Sequence, residues 1–305
     1  MKVTTIPNTT IAVPPICLGT MTFGTPVGEA DAIRLVHHAL ERGMNFIDTA
    51  NMYEGYARYA GSAGGVAEEI VGKAVKGRRD RFVIATKLGM KVGPAPEDEF
   101  TSPSAIAKQL DLSLRRLDTD CIDLYYLHKY DPNTAPEAIV QALDKAMKAG
   151  KIRAYAVSNY TAAQLSALIA AADGLNLPRP VACQPALSLL KTEALQDMLP
   201  LCAREQIAAV PYQILQGGLL TGKYRRGQAA PEGSRMAEKP DWLSEPDDAL
   251  FAKLEQIGEL AAQMGLTMTQ YAIRWTLTQP AVVSAMVGVK REAQIDEAAA
   301  AVEGL

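Results

Sequence analysis

Eight short apolar runs recur along this chain, and most are separated by longer segments of helical periodicity. The runs are Ile16 to Thr20, Asn45 to Thr49, Phe82 to Lys87, Ile122 to His128, Arg153 to Ser158, Val181 to Gln184, Ile207 to Tyr212 and Val282 to Val287. Most are continuously apolar, as parallel strands covered on both faces must be. Between them, Ala105 to Leu117 repeats Ile106, Leu110, Leu114 and Leu117 at helical spacing. Glu137 to Ala149 and Ala162 to Ala172 do the same, so each presents one apolar face. Ser102-Pro103 and Thr134 to Glu137 suit helix starts, and Gly43 and Gly150 suit helix ends. Strand and helix in alternation imply a parallel sheet with crossover connections. Eight such units close into an α/β (β/α)8 TIM barrel, with an open doubly wound sheet as the alternative. Val3 to Pro14, with a turn near Pro7-Asn8, reads as an N-terminal β-hairpin capping one end of the barrel. We expect one domain, residues 1–305.

Composition narrows the partners. Hydrophobic residues are 48% and the net charge is −3, which excludes a disordered chain. Without a basic excess, nucleic acid is not an expected partner. No apolar stretch of about 18 residues is present, so no membrane-spanning helix is expected. The opening MKVTTIPNTT has no apolar signal core. The four cysteines, Cys17, Cys121, Cys183 and Cys202, form no paired motif, so neither disulfides nor a metal site is expected. A cytoplasmic protein fits these features.

Barrels of this kind carry their chemistry where strands end. Asp48 ends the second run with Tyr53 just beyond it, Lys87 ends the third and His128 the fourth. Taken singly, an Asp here caps a helix, a Lys is solvated and a His is packed. Together they are four titratable groups of complementary type, a plausible proton-transfer site. Two segments break the rhythm, Tyr56 to Val66 and Gly222 to Asp248. Long aperiodic loops in a compact domain are usually functional or mobile.

Asn45-Phe46-Ile47-Asp48-Thr49-Ala50-Asn51-Met52-Tyr53 resembles the aldo-keto reductase signature. So do Ile84-Ala85-Thr86-Lys87 and Asp123-Leu124-Tyr125-Tyr126-Leu127-His128. Gly150 to Arg153, Val157-Ser158-Asn159 and Gly217 to Tyr224 extend the resemblance, in order, over nearly the whole chain. The resemblance implies reversible reduction of aldehydes or ketones by a nicotinamide cofactor. It also implies a catalytic tetrad of Asp48, Tyr53, Lys87 and His128. Tyr53 would give a proton to the carbonyl oxygen, and Lys87 would lower its pKa from about 10. Asp48 would hold Lys87 charged, and His128 would steer the substrate oxygen.

The same resemblance implies the cofactor's cradle. Ser158, Asn159 and Gln184 would hydrogen-bond the nicotinamide carboxamide, and Tyr212 would stack on its ring. Gly19, Thr20 and Met21, with Asp48, would line the ribose beside it. The loop from Leu215 through Gly217, Leu219 and Gly222 to Lys223 would wrap the pyrophosphate. Gly288, Lys290 and Arg291 would take the tail, and Gln294 and Glu297 the adenosine. Two adjacent cations suit a 2′-phosphate, so NADPH/NADP+ is expected ahead of NADH.

Two other motif readings fail. Gly217 to Lys223 fits a phosphate-loop pattern, but Tyr224 stands where Ser or Thr would hold magnesium. No G-x-G-x-x-G follows the first strand. The family's usual Tyr-Ser-Pro-Leu-Ala-Gly-Gly is Tyr212-Gln213-Ile214-Leu215-Gln216-Gly217-Gly218 here. Ala298 stands where Asn is frequent, and an insertion through Gly65 follows Tyr53. That insertion is expected to shape the substrate pocket, with Tyr56 and Tyr59 as possible contacts. Some relatives of this kind are channel-associated subunits. A cofactor-binding regulatory subunit with weak turnover is therefore the alternative function.

Overall fold

A computed structural model describes residues 1–243 and 245–304. Ten strands appear among them. β1 (Thr4–Thr5) and β2 (Ala12–Val13) form an antiparallel hairpin, with Asn8 left-handed in its turn. The other eight are β3 (Ile16–Gly19), β4 (Phe46–Asp48), β5 (Val83–Leu88), β6 (Ile122–Leu127), β7 (Ile152–Ser158), β8 (Ala182–Gln184), β9 (Ala208–Ala209) and β10 (Ala285–Gly288). They form one eight-stranded sheet, parallel throughout, in the order β10-β3-β4-β5-β6-β7-β8-β9. A parallel bridge from Ala209 to Val282 joins the two ends and closes the ring. The expected (β/α)8 fold is therefore the observed one.

Most strands match their apolar runs to within a residue at each end, but two begin or end well inside them. The run Ile207 to Tyr212 pairs regularly only at Ala208–Ala209. Pro211 lacks an N–H to continue the ladder, and Tyr212 bridges separately to Ala186. The run from Val282 contributes one bridge before regular pairing begins at Ala285.

Ten α-helices accompany the strands: α1 (Glu29–Glu41), α2 (Val66–Val75), α3 (Pro103–Leu117), α4 (Pro136–Lys148), α5 (Ala162–Gly174), α6 (Met198–Glu205), α7 (Arg235–Glu238), α8 (Asp248–Gln263), α9 (Met268–Leu277) and α10 (Glu292–Ala301). Helix α3 starts where Ser102 accepts a bond from Ala105 N–H at 3.2 Å, with Pro103 as its first residue. The apolar positions at helical spacing, Ile106, Leu110, Ile139, Leu143, Leu165 and Leu168, are buried against the outward faces of the strands. His37 and His38, adjacent on α1, are both half-buried. Neither is free: His37 bonds Ala74 O at 2.9 Å and His38 bonds Asp296 at 2.8 Å.

Alternation along each strand sorts the interior. Ile16, Leu18, Ile47, Ile84, Tyr125, Leu127, Tyr155, Val157 and Cys183 pack outward under the helices. Cys17, Phe46, Val83, Ala85, Leu124, Tyr126, Ala154, Ala156, Ala182, Ala208 and Val210 pack inward as a separate cluster. Ile6, Ile11 and Val13 of the hairpin join that inner cluster and form the barrel's floor. One more step of two residues along the inward row reaches Asp48, Lys87, His128, Ser158, Gln184 and Tyr212. These all lie at the opposite, C-terminal mouth.

Candidate active site

The mouth begins with a buried ion pair. Lys87 and Asp48 are almost fully excluded from solvent, and the Lys87 ammonium contacts Asp48 Oδ1 directly. The same ammonium donates to Thr49 O at 2.9 Å and reaches the Tyr53 hydroxyl at 3.4 Å. Gln184 Nε2 donates to Asp48 Oδ2 at 2.9 Å, so both carboxylate oxygens are engaged. Thr20 fixes the backbone beneath, its hydroxyl donating to Asp48 O at 3.0 Å. Such a pair survives burial only when its remaining hydrogen-bonding capacity is met, which these partners do.

The electrostatics follow from burial. For Lys87, burial acts to lower the pKa, but Asp48 and Tyr53 outweigh it and hold the ammonium above its ordinary 10.5. Tyr53 departs from expectation. Burial pushes its phenol above the ordinary 10.0, and the opposing charge of Lys87 does not overcome that. The phenol is thus fully protonated at neutral pH. His128 is lowered well below 6.5, first by burial and then by Lys87 and Lys129, so its imidazole is neutral. Its ring stands edge-on to Tyr53 with centroids 5.9 Å apart. The mouth therefore presents a protonated phenol and a neutral imidazole side by side.

A second set of side chains ties neighbouring strand ends together. Ser158 Oγ donates to Gln184 O at 3.0 Å. Asn159 Nδ2 donates to His128 O at 2.9 Å, and Tyr212 OH donates to Asn159 Oδ1 at 2.7 Å. Asn159 holds a left-handed φ of 57°, which Asn tolerates better than most residues. Gln184 keeps a second N–H and its amide oxygen by valence.

The segment after Tyr212 is built from unusual backbone. Gln213, Gln216, Gly217, Gly218 and Gly222 are all left-handed. At Gly218, φ 100°, the backbone itself favours glycine, and the Lys223 ammonium folds over this turn, 2.6 Å from where a Cβ would stand. Burial lowers the Lys223 pKa, as do the charges of Lys290, Arg291 and Arg235. Cations gathered this closely are suited to polyanionic phosphates. Lys290 and Arg291 precede α10, where Gln294 Oε1 accepts from Lys290 N–H at 2.7 Å. Glu297 instead accepts from Thr267 Oγ1 at 2.8 Å. Gly19 and Gly288 lie side by side at the ends of β3 and β10, next to Thr20 and Met21.

The two aperiodic loops meet over this region. Tyr56 is buried, not free for substrate, and stacks edge-on against Trp242 with centroids 5.5 Å apart. Arg235 lies 5.2 Å and Lys290 5.1 Å from the Tyr56 ring centre. Tyr59 remains 70% exposed. Arg235, Glu238 and Trp242 were invisible to sequence reasoning because they lie in the segment without periodicity. Only its Pro and Gly content marked it as irregular.

The Aldo/keto reductase family model matches residues 15–304. The chain belongs to the aldo/keto reductase family. An Aldo-keto reductase, YhdN, of Bacillus subtilis is 30% identical to it, over 97% of this chain and 87% of that protein. A probable voltage-gated potassium channel subunit beta of Arabidopsis thaliana is 33% identical, over 93% of this chain and 85% of that one. Among solved structures, the glycerol dehydrogenase of Gluconobacter oxydans superposes with a TM-score of 0.82 at 28% identity. That match covers 99% of this chain and 90% of the other. As a family member, the chain is an oxidoreductase of the nicotinamide-dependent class.

Proposed function

We propose that this protein reduces aldehydes or ketones to alcohols, reversibly, with NADP(H). The observation that carries the reading is the buried Asp48–Lys87 pair set against the Tyr53 hydroxyl, with neutral His128 at its side. When bound, the dinucleotide supplies the hydride. Tyr53 supplies the proton to the carbonyl oxygen, and its protonated state at neutral pH makes it an acid for this direction. Lys87 stabilises the phenolate that Tyr53 becomes, and Asp48 keeps Lys87 in place. His128 has an N–H to offer the same oxygen and orients it. General acid catalysis of this kind contributes about 10²–10⁴-fold.

The residues present fit such a cofactor. The turn at Gly217-Gly218 is left-handed backbone beneath the Lys223 ammonium, and the charges of Lys290, Arg291 and Arg235 bear on that ammonium, so four cations gather where a polyanionic phosphate would lie. We assign Gly19, Thr20, Met21, Ser158, Asn159, Gln184 and Tyr212 to the nicotinamide end. Leu215 to Lys223 are assigned to the pyrophosphate, and Gly288, Lys290, Arg291, Gln294 and Glu297 to the tail. Lys290 and Arg291 favour the phosphorylated dinucleotide. The scattered thiols fit a reducing cytoplasm.

A second reading is a regulatory subunit that binds cofactor and turns over weakly, which the Arabidopsis relative's description favours. NADPH consumption with a reactive aromatic aldehyde separates the two. Steady turnover, faster with NADPH than with NADH, is expected. Tight cofactor binding without turnover across aldehydes and ketones would favour the regulatory subunit.

A further inference from the structure

Lys290 is already occupied. Its ammonium contacts Glu238 Oε2 directly and donates to Gly233 O at 2.9 Å. Both side chains of the pair are about three-quarters buried, so solvent screens the contact only in part. Glu238 ends α7, a single turn started by Ser234, whose hydroxyl accepts from Ala237 N–H. A carboxylate at a helix C-terminus gains nothing from the helix dipole. Its position is explained by Lys290 across the mouth, 52 residues away in sequence. Glu238 is also the carboxylate that opposes the combined pull of Lys290, Arg291 and Arg235 on Lys223. The turn that carries it is held down by Arg235 and Trp242 against Tyr56.

We propose that Glu238 sets the cofactor preference. It is a built-in counter-ion seated on the Lys290 ammonium that a 2′-phosphate would need. The inference rests on Lys290 being a tail-binding residue, as assigned above. A 2′-phosphate must displace the carboxylate and then remain near it, and two anions on one cation repel. An unphosphorylated dinucleotide presents a neutral hydroxyl instead, which Glu238 accepts as a hydrogen bond without leaving Lys290. Glu238 thus narrows a margin that Lys290 and Arg291 alone would make wide.

Calorimetric titration of NADP+ and NAD+ into the wild type, Glu238→Gln and Glu238→Asp tests this without turnover. Glu238→Gln is expected to bind NADP+ about tenfold tighter, while NAD+ affinity changes less than about threefold. Glu238→Asp keeps the charge on a shorter stem, and its preference should fall between the two. With Lys290→Met as background, Glu238→Gln should no longer shift the preference. Equal changes for both dinucleotides, or no change for either, would overturn the role of Glu238 and leave the dinucleotide site standing. Failure of the wild type to bind either dinucleotide would overturn the cofactor assignment, and this inference with it.

Discussion

Lys87 stays charged where no water reaches it, and its neighbours explain why. Asp48, Thr49 O and Tyr53 meet the ammonium's hydrogens, and Gln184 meets the second carboxylate oxygen. Removing one partner strands the other. Lys87→Met should abolish reduction and also destabilise the fold by about 3–5 kcal/mol, read from urea unfolding. The double variant with Asp48→Asn should lose less than the sum of the two single changes. The pH dependence has a definite sign. Reduction needs the Tyr53 phenol protonated, and its pKa lies above 10.0. His128, held well below 6.5, is neutral from there upward. The kcat/KM for reduction should be level from about pH 6.5 to 10 and fall only beyond, as the phenol ionises. An inflection near pH 6.5 would mean that His128 titrates in the working enzyme. The identity of these four residues was legible from strand ends and from the resemblance. The raised Tyr53 pKa was not, because it depends on how deeply the phenol is buried.

Strands and helices were legible because they are periodic. The inward row that ends in Asp48, Lys87, His128, Ser158 and Gln184 follows from alternation alone once each strand's register is known. Only the ends blurred, as at Pro211, where a missing N–H cuts an apolar run short. Close packing between elements is less visible. Gly72 lies in α2, where alanine would ordinarily favour the helix by about 1 kcal/mol. Here a Cβ would meet Arg116 O at 2.5 Å and the Leu117 carbonyl at 2.9 Å, both backbone atoms of the adjoining helix. Gly72→Ala should therefore destabilise the protein by about 1–3 kcal/mol, seen as a lower Tm, despite the better propensity.

At the scale of the whole molecule the barrel is closed differently at its two ends. The floor is the hairpin, and its residues Ile6, Ile11 and Val13 complete the inner core. Ile11→Ala should cost about 2–5 kcal/mol of stability while leaving cofactor affinity unchanged. The roof is irregular. Tyr56 from one loop meets Trp242, Arg235 and Lys290 from segments far along the chain. No local pattern encodes such a meeting, so the sequence marked both loops as unusual without pairing them. The central claim concerns what lies beneath that roof, and isotope transfer tests it most directly. NADPH deuterated at its reactive carbon would be supplied with an aromatic aldehyde to the wild type and to Tyr53→Phe. The wild type should place deuterium on the alcohol carbon. Tyr53→Phe should bind cofactor normally and form that product about 10²–10⁴-fold more slowly. Unlabelled alcohol from the wild type, or Tyr53→Phe working at the wild-type rate, would contradict the account.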